Sequence, residues 1–348
     1  MTNTIFFQAP KLLEANDQNI KLACEYIKQQ ELVAFPTETV YGLGASCYFD
    51  KAIEKIYALK GRPKNNPLIV HFANTDSIKE HFIINEIFEI LSKAFMPGPL
   101  TLILEKKPGS KISPLCANGS NKQAFRIPNN PIALKLITCT GPLVAPSANI
   151  SNKLSPTLAL HVKLSFMDKK LSDKGLLILD GGSTQLGLES TVLDISDINQ
   201  IKLLRHGSLG IENIEKTGIK LINHTQYPWF SKIYDKTPQY ENKYSNALAS
   251  PGMLNKHYSP NTPLRLNALE IKEGEALLAF GKINFLVPKE VKILNLSQAS
   301  DLAEAASNFF KMLWELDLLQ PKIIAVMPIP QIDLGLTINE RLQKASAV

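Results

Sequence analysis

The sequence predicts an α/β protein in two parts, a long unit of alternating strands and helices followed by a small parallel α/β unit. Three observations carry this expectation. Up to about residue 212, short apolar or β-branched runs such as "LVAFPT", "PLIVHF", "LTLILEK", "LLILDGG" and "STVLDIS" alternate with helical patterns such as "NDQNIKLACEYIKQQ" and "NEIFEILSKAFM". From about Thr225 to Pro263 the alternation lapses into a Tyr- and Pro-rich stretch without hydrophobic period, too long to be a simple turn. Beyond it, the run from "EALLAF" through "VKILNL" and "SNFFKMLWELDLL" to "IIAVMPIP" reads strand, strand, amphipathic helix, strand. The chain therefore divides into a first domain at 1–215, a connecting segment at 216–262 and a second domain at 263–348.

Composition narrows the class. A chain of 348 residues with 45% apolar and 20% charged residues can bury a sizeable core. The start, "MTNTIFFQAPKLLEAND", shows no basic region leading into an apolar run, and no later segment approaches the roughly 18 consecutive apolar residues of a membrane span, so a cytoplasmic protein without membrane contact is expected. Four scattered cysteines, Cys24, Cys47, Cys116 and Cys139, form no CxxC pair, which argues against a zinc site or a disulfide framework. The net charge is +6, and since residues 263–348 carry nine Lys/Arg and ten Asp/Glu, the whole positive surplus lies before them. An excess of this size suits a phosphate-bearing small molecule, or transient contact with RNA, better than stable wrapping of nucleic acid.

The motifs follow in order. In "AFPTETVYGLGA" an apolar strand runs into Thr37, Glu38, Thr39 and Tyr41 with two glycines, which gathers hydroxyls at a strand end, where open α/β sheets bind ligands. The helix "DKAIEKIYALK" then delivers Lys60 and Arg62, with Lys64 behind them, into a turn stiffened by Pro63 and Pro67. That turn reads as exposed, outside the core. Three cations in five residues without an acid are costly unless anions come to them. His71 ends the next strand. "NKQAFRIPNNP" places Arg126 before a Pro-bounded turn, "PLVAPSANISNKLSPT" gathers Ser147, Asn149, Ser151, Asn152 and Ser155, and "LDGGSTQLGLESTVLDI" supplies glycines and Glu189-Ser190-Thr191. Strand ends of this composition with cations opposite make a pocket for phosphates and a carboxylate. The sequence contains no GxxxxGK[ST], HExxH or GxSxG motif and no kinase motif set, so phosphate handling is of another kind.

Taken in order, "PTETVYGLGASC", "YALKGRPKNNPLIVH", "MPGPLTLIL", "AFRIPNNP", "APSANISNKLSPT", "DGGSTQLGLESTV" and "LLRHGSLG" resemble the Sua5/YrdC/YwlC family over roughly residues 12 to 215. The likeness recurs in "SPGMLNKHYSP" and "GLTINERLQKAS", which marks the long, two-domain form. It implies a YrdC-like twisted mixed sheet with helices around a basic concave pocket, and a small Rossmann-like C-terminal domain. It also implies an L-threonylcarbamoyladenylate synthase, a nucleotidyltransferase that condenses L-threonine, bicarbonate or CO2 and ATP to threonylcarbamoyl-AMP and pyrophosphate. Mg2+ would accompany ATP, with no metal site in the protein itself. Downstream transferase proteins would carry the group to adenosine 37 of tRNA, with transient tRNA contact by this protein.

Carried over position by position, the resemblance implies that Lys60, Arg62, Ser147 and Asn149 hold the triphosphate, with Lys60 and Arg62 as the catalytic cations. Asn66, Lys122, Ser155 and Arg205 fall at further ATP contacts. Thr39, His71, Arg126, Ala145 and Ser190 fall at threonine contacts, Arg126 as the partner of the carboxylate and Ala145 through its backbone. One departure stands out, because the linker motif of the family has Tyr where this chain has Asn255. Either Tyr258 or another linker aromatic is then expected to take that part in a lid spanning 216–262, or the lid is looser. Two other readings remain at this stage: a double-stranded RNA-binding module of the same fold, and a carbamoyl-transfer relative of the hydrogenase-maturation type.

Overall fold

The computed structural model describes residues 9–169, 171, 174–222 and 257–347, and the strands among them form two sheets. The large sheet has ten strands in the order β1 (Lys11–Glu14), β8 (Leu177–Asp180), β2 (Val33–Phe35), β3 (Gly42–Ser46), β7 (Leu143–Val144), β4 (Val70–His71), β6 (Lys122–Arg126), β5 (Leu100–Glu105), β9 (Thr191–Asp194) and β10 (Lys202–Arg205). It is mixed. The pairs β1–β8, β2–β8, β4–β6 and β5–β9 are parallel, and β2–β3, β3–β7, β4–β7, β5–β6 and β9–β10 are antiparallel. Strands such as "LTLILE" and "LILD" read as unbroken apolar runs because helices cover both faces of the sheet.

The helices are α1 (Asp17–Lys28), α2 (Asp50–Lys60), α3 (Thr75–His81), α4 (Glu86–Phe95), α5 (Pro131–Thr140), α6 (Ala159–Phe166) and α7 (Ile211–Glu215). Their limits follow from local chemistry. Asn16 caps α1 by accepting from the Asn19 N–H, and Ile20, Ala23, Cys24 and Ile27 form the single face it buries. Gly61 ends α2 with φ 59°, a left-handed conformation that costs glycine nothing, and so turns the chain sharply after Lys60. Under the sheet Phe72, Phe82, Phe88 and Phe125 pack with ring centroids 4.3 to 6.4 Å apart. Burying each ring contributes on the order of 2–3 kcal/mol.

The second sheet runs β11 (Leu264–Arg265), β14 (Ile323–Val326), β12 (Glu275–Ala279), β13 (Ile293–Asn295), parallel throughout, with α8 (Leu302–Leu318) and α9 (Asp333–Ser346). A twisted mixed sheet with a small parallel unit behind it is the expected fold class. Position 255 and most of the expected lid lie outside the described residues. From His257 onward the chain threads between the two sheets, where the Ser259 N–H donates to the Asn152 carbonyl at 2.8 Å and the Asp317 carboxylate accepts from the N–H groups of Asn261 and Thr262.

Candidate active site

A cleft of about 560 Å³, measured out to its open mouth, forms where the β2–β3 loop meets the ends of β4 and β6, the segment after β7 and the β9–β10 pair. Its first half is built on the loop "PTETVY". The Thr37 hydroxyl donates to the Val40 carbonyl at 2.7 Å and lies 2.8 Å from the Thr39 hydroxyl, which folds the loop on itself. Gly42 and Gly44 in β3 permit this packing, since a Cβ at Gly44 would lie 2.6 Å from the Phe35 ring. Arg126, at the end of β6, donates through Nη1 to the Thr39 hydroxyl at 3.1 Å and through Nη2 to the Glu38 carboxylate at 2.7 Å. Its Nε–H is buried with no partner, as is Glu38 Oε2. His71 sits beside them with Nδ1 3.2 Å from the Ile69 carbonyl, and burial followed by the Arg126 charge keeps its ring well below the usual histidine range, hence neutral. Ala145 and Ser190 complete this half, and the Ser190 hydroxyl lies 2.7 Å from that of Thr101.

The second half is cationic. Arg62 is braced by its own turn, its Nε donating to the Asn66 carbonyl at 3.0 Å and Nη2 to the Asn66 side chain at 2.6 Å and the Pro67 carbonyl at 2.7 Å. Burial lowers its pKa to about 10, so it stays charged at neutral pH. Arg205 is fixed in the same way, by bonds of 3.0 and 2.8 Å to the Ser190 carbonyl. The close approach of Gly207 to the Ser190–Thr191 backbone allows this, for a Cβ there would meet the Thr191 nitrogen at 2.2 Å. Ser147, Glu189, His257 and Tyr258 line the remainder.

The five positions expected at threonine, Thr39, His71, Arg126, Ala145 and Ser190, all line the cleft, and Arg62, Ser147 and Arg205 line it from the other set. Lys60, Asn66, Asn149 and Ser155 stand immediately behind. The Lys60 ammonium donates to the carbonyls of Ser147 at 2.5 Å and Asn149 at 2.6 Å, Asn66 holds Arg62, and the Ser155 hydroxyl donates to Glu189 at 2.5 Å. Lys122 is not among the lining residues. It starts β6, which Arg126 ends, so the two stand roughly 13 Å apart along the strand, and its ammonium pairs with Asp194 at 3.4 Å. The turn is exposed at Gly61, Pro63, Lys64 and Asn65, as expected, but its two leading cations are buried, Lys60 at 1% and Arg62 at 8% exposure, because the segment after β7 closes over Lys60 and the turn folds around Arg62. The resemblance makes Arg126 the partner of a carboxylate, and in the structure Glu38 and Thr39 already occupy part of its fork. Sequence reasoning gave no role to Glu189, although the "LESTV" motif contains it, and it missed Arg341, which reaches Glu189 from α9.

A twisted α/β sheet with an open-mouthed cleft, hydroxyl-lined at one end and cationic at the other, has the form suited to a polar small molecule beside a phosphate-bearing one. Comparison with known proteins gives the family. Residues 25–207 match the Sua5/YciO/YrdC family model, described as "Telomere recombination", and residues 210–347 match the model of the threonylcarbamoyl-AMP synthase C-terminal domain. Threonylcarbamoyl-AMP synthase of Pyrococcus abyssi is 36% identical, over 94% of each chain, and that of Bacillus subtilis is 34% identical, over 99% of this chain and 98% of the other. The crystal structure of P. abyssi Sua5 complexed with L-threonine superposes with a TM-score of 0.80 at 34% identity, covering 97% of each chain. The chain belongs to the Sua5/YciO/YrdC family, in the form that carries the Sua5 C-terminal domain.

Proposed function

We propose that this protein is a threonylcarbamoyl-AMP synthase, forming threonylcarbamoyl-AMP and pyrophosphate from L-threonine, bicarbonate or CO2, and ATP. The observation that carries the proposal is the junction in one cleft of a hydroxyl-and-guanidinium half with a half holding two braced arginines, in a chain similar along almost its whole length to synthases of that name. In this reading Arg126 keeps its bonds to Glu38 and Thr39 and offers its remaining N–H groups to the threonine carboxylate, a planar task suited to guanidinium. The neutral amine of threonine adds to CO2, and the resulting carbamate oxygen attacks the α-phosphorus of ATP, expelling pyrophosphate. No side-chain nucleophile is needed. Catalysis then rests on positioning and on cations aimed in advance at the developing charge, as Arg62 and Arg205 are by their backbone partners.

Mg2+ would travel with the triphosphate. The cleft carboxylates are engaged, Glu38 by Arg126 and Glu189 by Ser155 and Arg341, and no metal-binding cluster of three or more His, Cys, Asp or Glu occurs among the described residues. A cytoplasmic location, the hand-over to transferase proteins that modify tRNA and transient tRNA contact belong to the same proposal, as does a lid from the 216–262 segment over bound nucleotide. No helix among the described residues is long and apolar enough to cross a membrane. A duplex RNA-binding surface is disfavoured because Lys60, Arg62, Arg126 and Arg205 are all buried, where a phosphate backbone cannot reach them. The test is pyrophosphate release from ATP, expected only when L-threonine and bicarbonate are both supplied; release that ignores either one overturns the proposal.

A further inference from the structure

The cleft contains a carboxylate that its chemistry does not call for. Glu189 is 6% exposed and lines the cationic half, where an ionised side chain left alone would be buried without compensation and would repel a polyphosphate. Both of its oxygens are held from behind. Oε1 accepts the Ser155 hydroxyl at 2.5 Å, and Oε2 accepts Nε and Nη2 of Arg341 at 3.3 and 3.2 Å. Arg341 comes from the other sheet's helix α9, is fully buried, and lies 5.3 Å from the centroid of the Tyr258 ring, itself part of the cleft wall.

The surroundings make this arrangement rigid. Arg341 also donates to Glu340 at 3.3 Å, and Glu340 accepts from Lys344 at 2.6 Å, so the seam balances two cations against two carboxylates. On either side, the Thr337 hydroxyl donates to the Gly207 carbonyl at 3.1 Å and the Trp314 indole N–H to the Ser155 carbonyl at 3.1 Å. The C-terminal unit thereby grips the segments that present Ser155, Glu189 and Arg205.

We infer that Arg341 is a positioning residue for the nucleotide half of the cleft, neutralising Glu189 and holding it against Ser155 so that the cleft presents a net positive face to the triphosphate. The inference rests on the proposed reaction and gives the C-terminal unit a part in it. Arg341 touches no reacting group in this account and acts only through Glu189. An apolar side chain could fill the same volume, but it would leave the Glu189 charge facing the site.

Calorimetric titration of the full chain with ATP and, separately, with L-threonine tests this. Arg341→Met is expected to weaken ATP about tenfold or more while threonine affinity changes less than about threefold, and the double variant Arg341→Met/Glu189→Gln is expected to recover most of the loss, because the repelling charge has gone. A structural role alone would weaken both ligands together, lower the thermal midpoint in proportion and show no recovery in the double variant, and that result overturns the inference. Should Arg341→Met fail to fold, the double variant, which buries no unpaired charge, and Arg341→Lys carry the comparison: ATP binding near that of the wild type in the double variant is expected, and loss as severe as for threonine contradicts it. A wild-type chain that binds no ATP would sink the proposed function instead, which separates the two failures.

Discussion

At Lys60 an ammonium group shut away from water has three oxygen acceptors, the carbonyls of Ser147 and Asn149 and the Asn149 side chain at 3.4 Å, and these tie the end of α2 to the segment that lines the cleft. Burial, with the Arg62 charge adding to it, pulls its pKa well below the usual lysine range. Lys60→Ala should therefore destabilise the fold, by about 2–4 kcal/mol, since buried carbonyls are left unpaired. A urea midpoint equal to that of the wild type would contradict the placement. This is where sequence reasoning fell short: the residue types of the K-x-R turn were legible, but the turn read as exposed throughout, and the chain that closes over Lys60 lies nearly ninety residues further on. Arg126 is a cleaner case, because its type and its strand-end position both pointed to carboxylate recognition. Arg126→Lys keeps a charge but loses the fork to Glu38 and Thr39, so threonine affinity should fall at least about tenfold with ATP affinity nearly unchanged. The reverse pattern in calorimetry would show that the two halves of the cleft have been assigned the wrong way round.

Among the elements, β2, β4, β5, β8 and β9 were legible because they lie in short apolar or β-branched runs, and α1 because its buried positions repeat along one face. Helix α9 was not. Its apolar stripe, Leu334, Ile338, Leu342 and Ala345, is interrupted by the buried polar and charged positions Thr337, Asn339, Glu340 and Arg341, of which Thr337 and Arg341 find partners outside the helix. Strand β3, whose GLGAS carries two glycines, and the two-residue β11 were equally hard to place, since neither offers an apolar period to read. The turn after β10 depends on Gly207 lying against the Ser190–Thr191 backbone. Gly207→Ala should lower the urea midpoint by the equivalent of about 1–3 kcal/mol and weaken ATP binding, because moving that turn pulls the Arg205 guanidinium off the Ser190 carbonyl. Unchanged stability would mean that the turn has room to give.

For the molecule as a whole, the seam between the sheets should be sensitive to acid. His161, packed 4.8 Å from the Trp314 ring with an interplanar angle of 9°, accepts the Thr157 N–H at Nδ1, and burial, with the Lys311 charge adding to it, lowers its pKa to about 4. Because the unfolded chain takes up the proton near pH 6.5 and the folded chain only near 4, the unfolded state binds more protons between those values, and stability falls as the pH drops through that window. The loss from this one ring reaches roughly 3 kcal/mol at its lower end. His161→Phe, which keeps an aromatic ring on Trp314 but cannot titrate, should lose less stability than the wild type between pH 6.5 and 4 in chemical denaturation; identical slopes would remove His161 as the cause. The division into two sheets was legible from the lapse of pattern around residue 225, whereas the seam was not, since it consists of single contacts between positions more than a hundred residues apart. In the proposed reaction one cleft joins threonine, a one-carbon unit and the α-phosphate of ATP. The most direct measurement is carbon-13 NMR of a reaction containing labelled bicarbonate, L-threonine and ATP. The label is expected in a single product containing both threonine and AMP, with pyrophosphate released in equal amount, whereas ATP consumed without labelled product, or cleaved to ADP and phosphate, would contradict the proposed reaction.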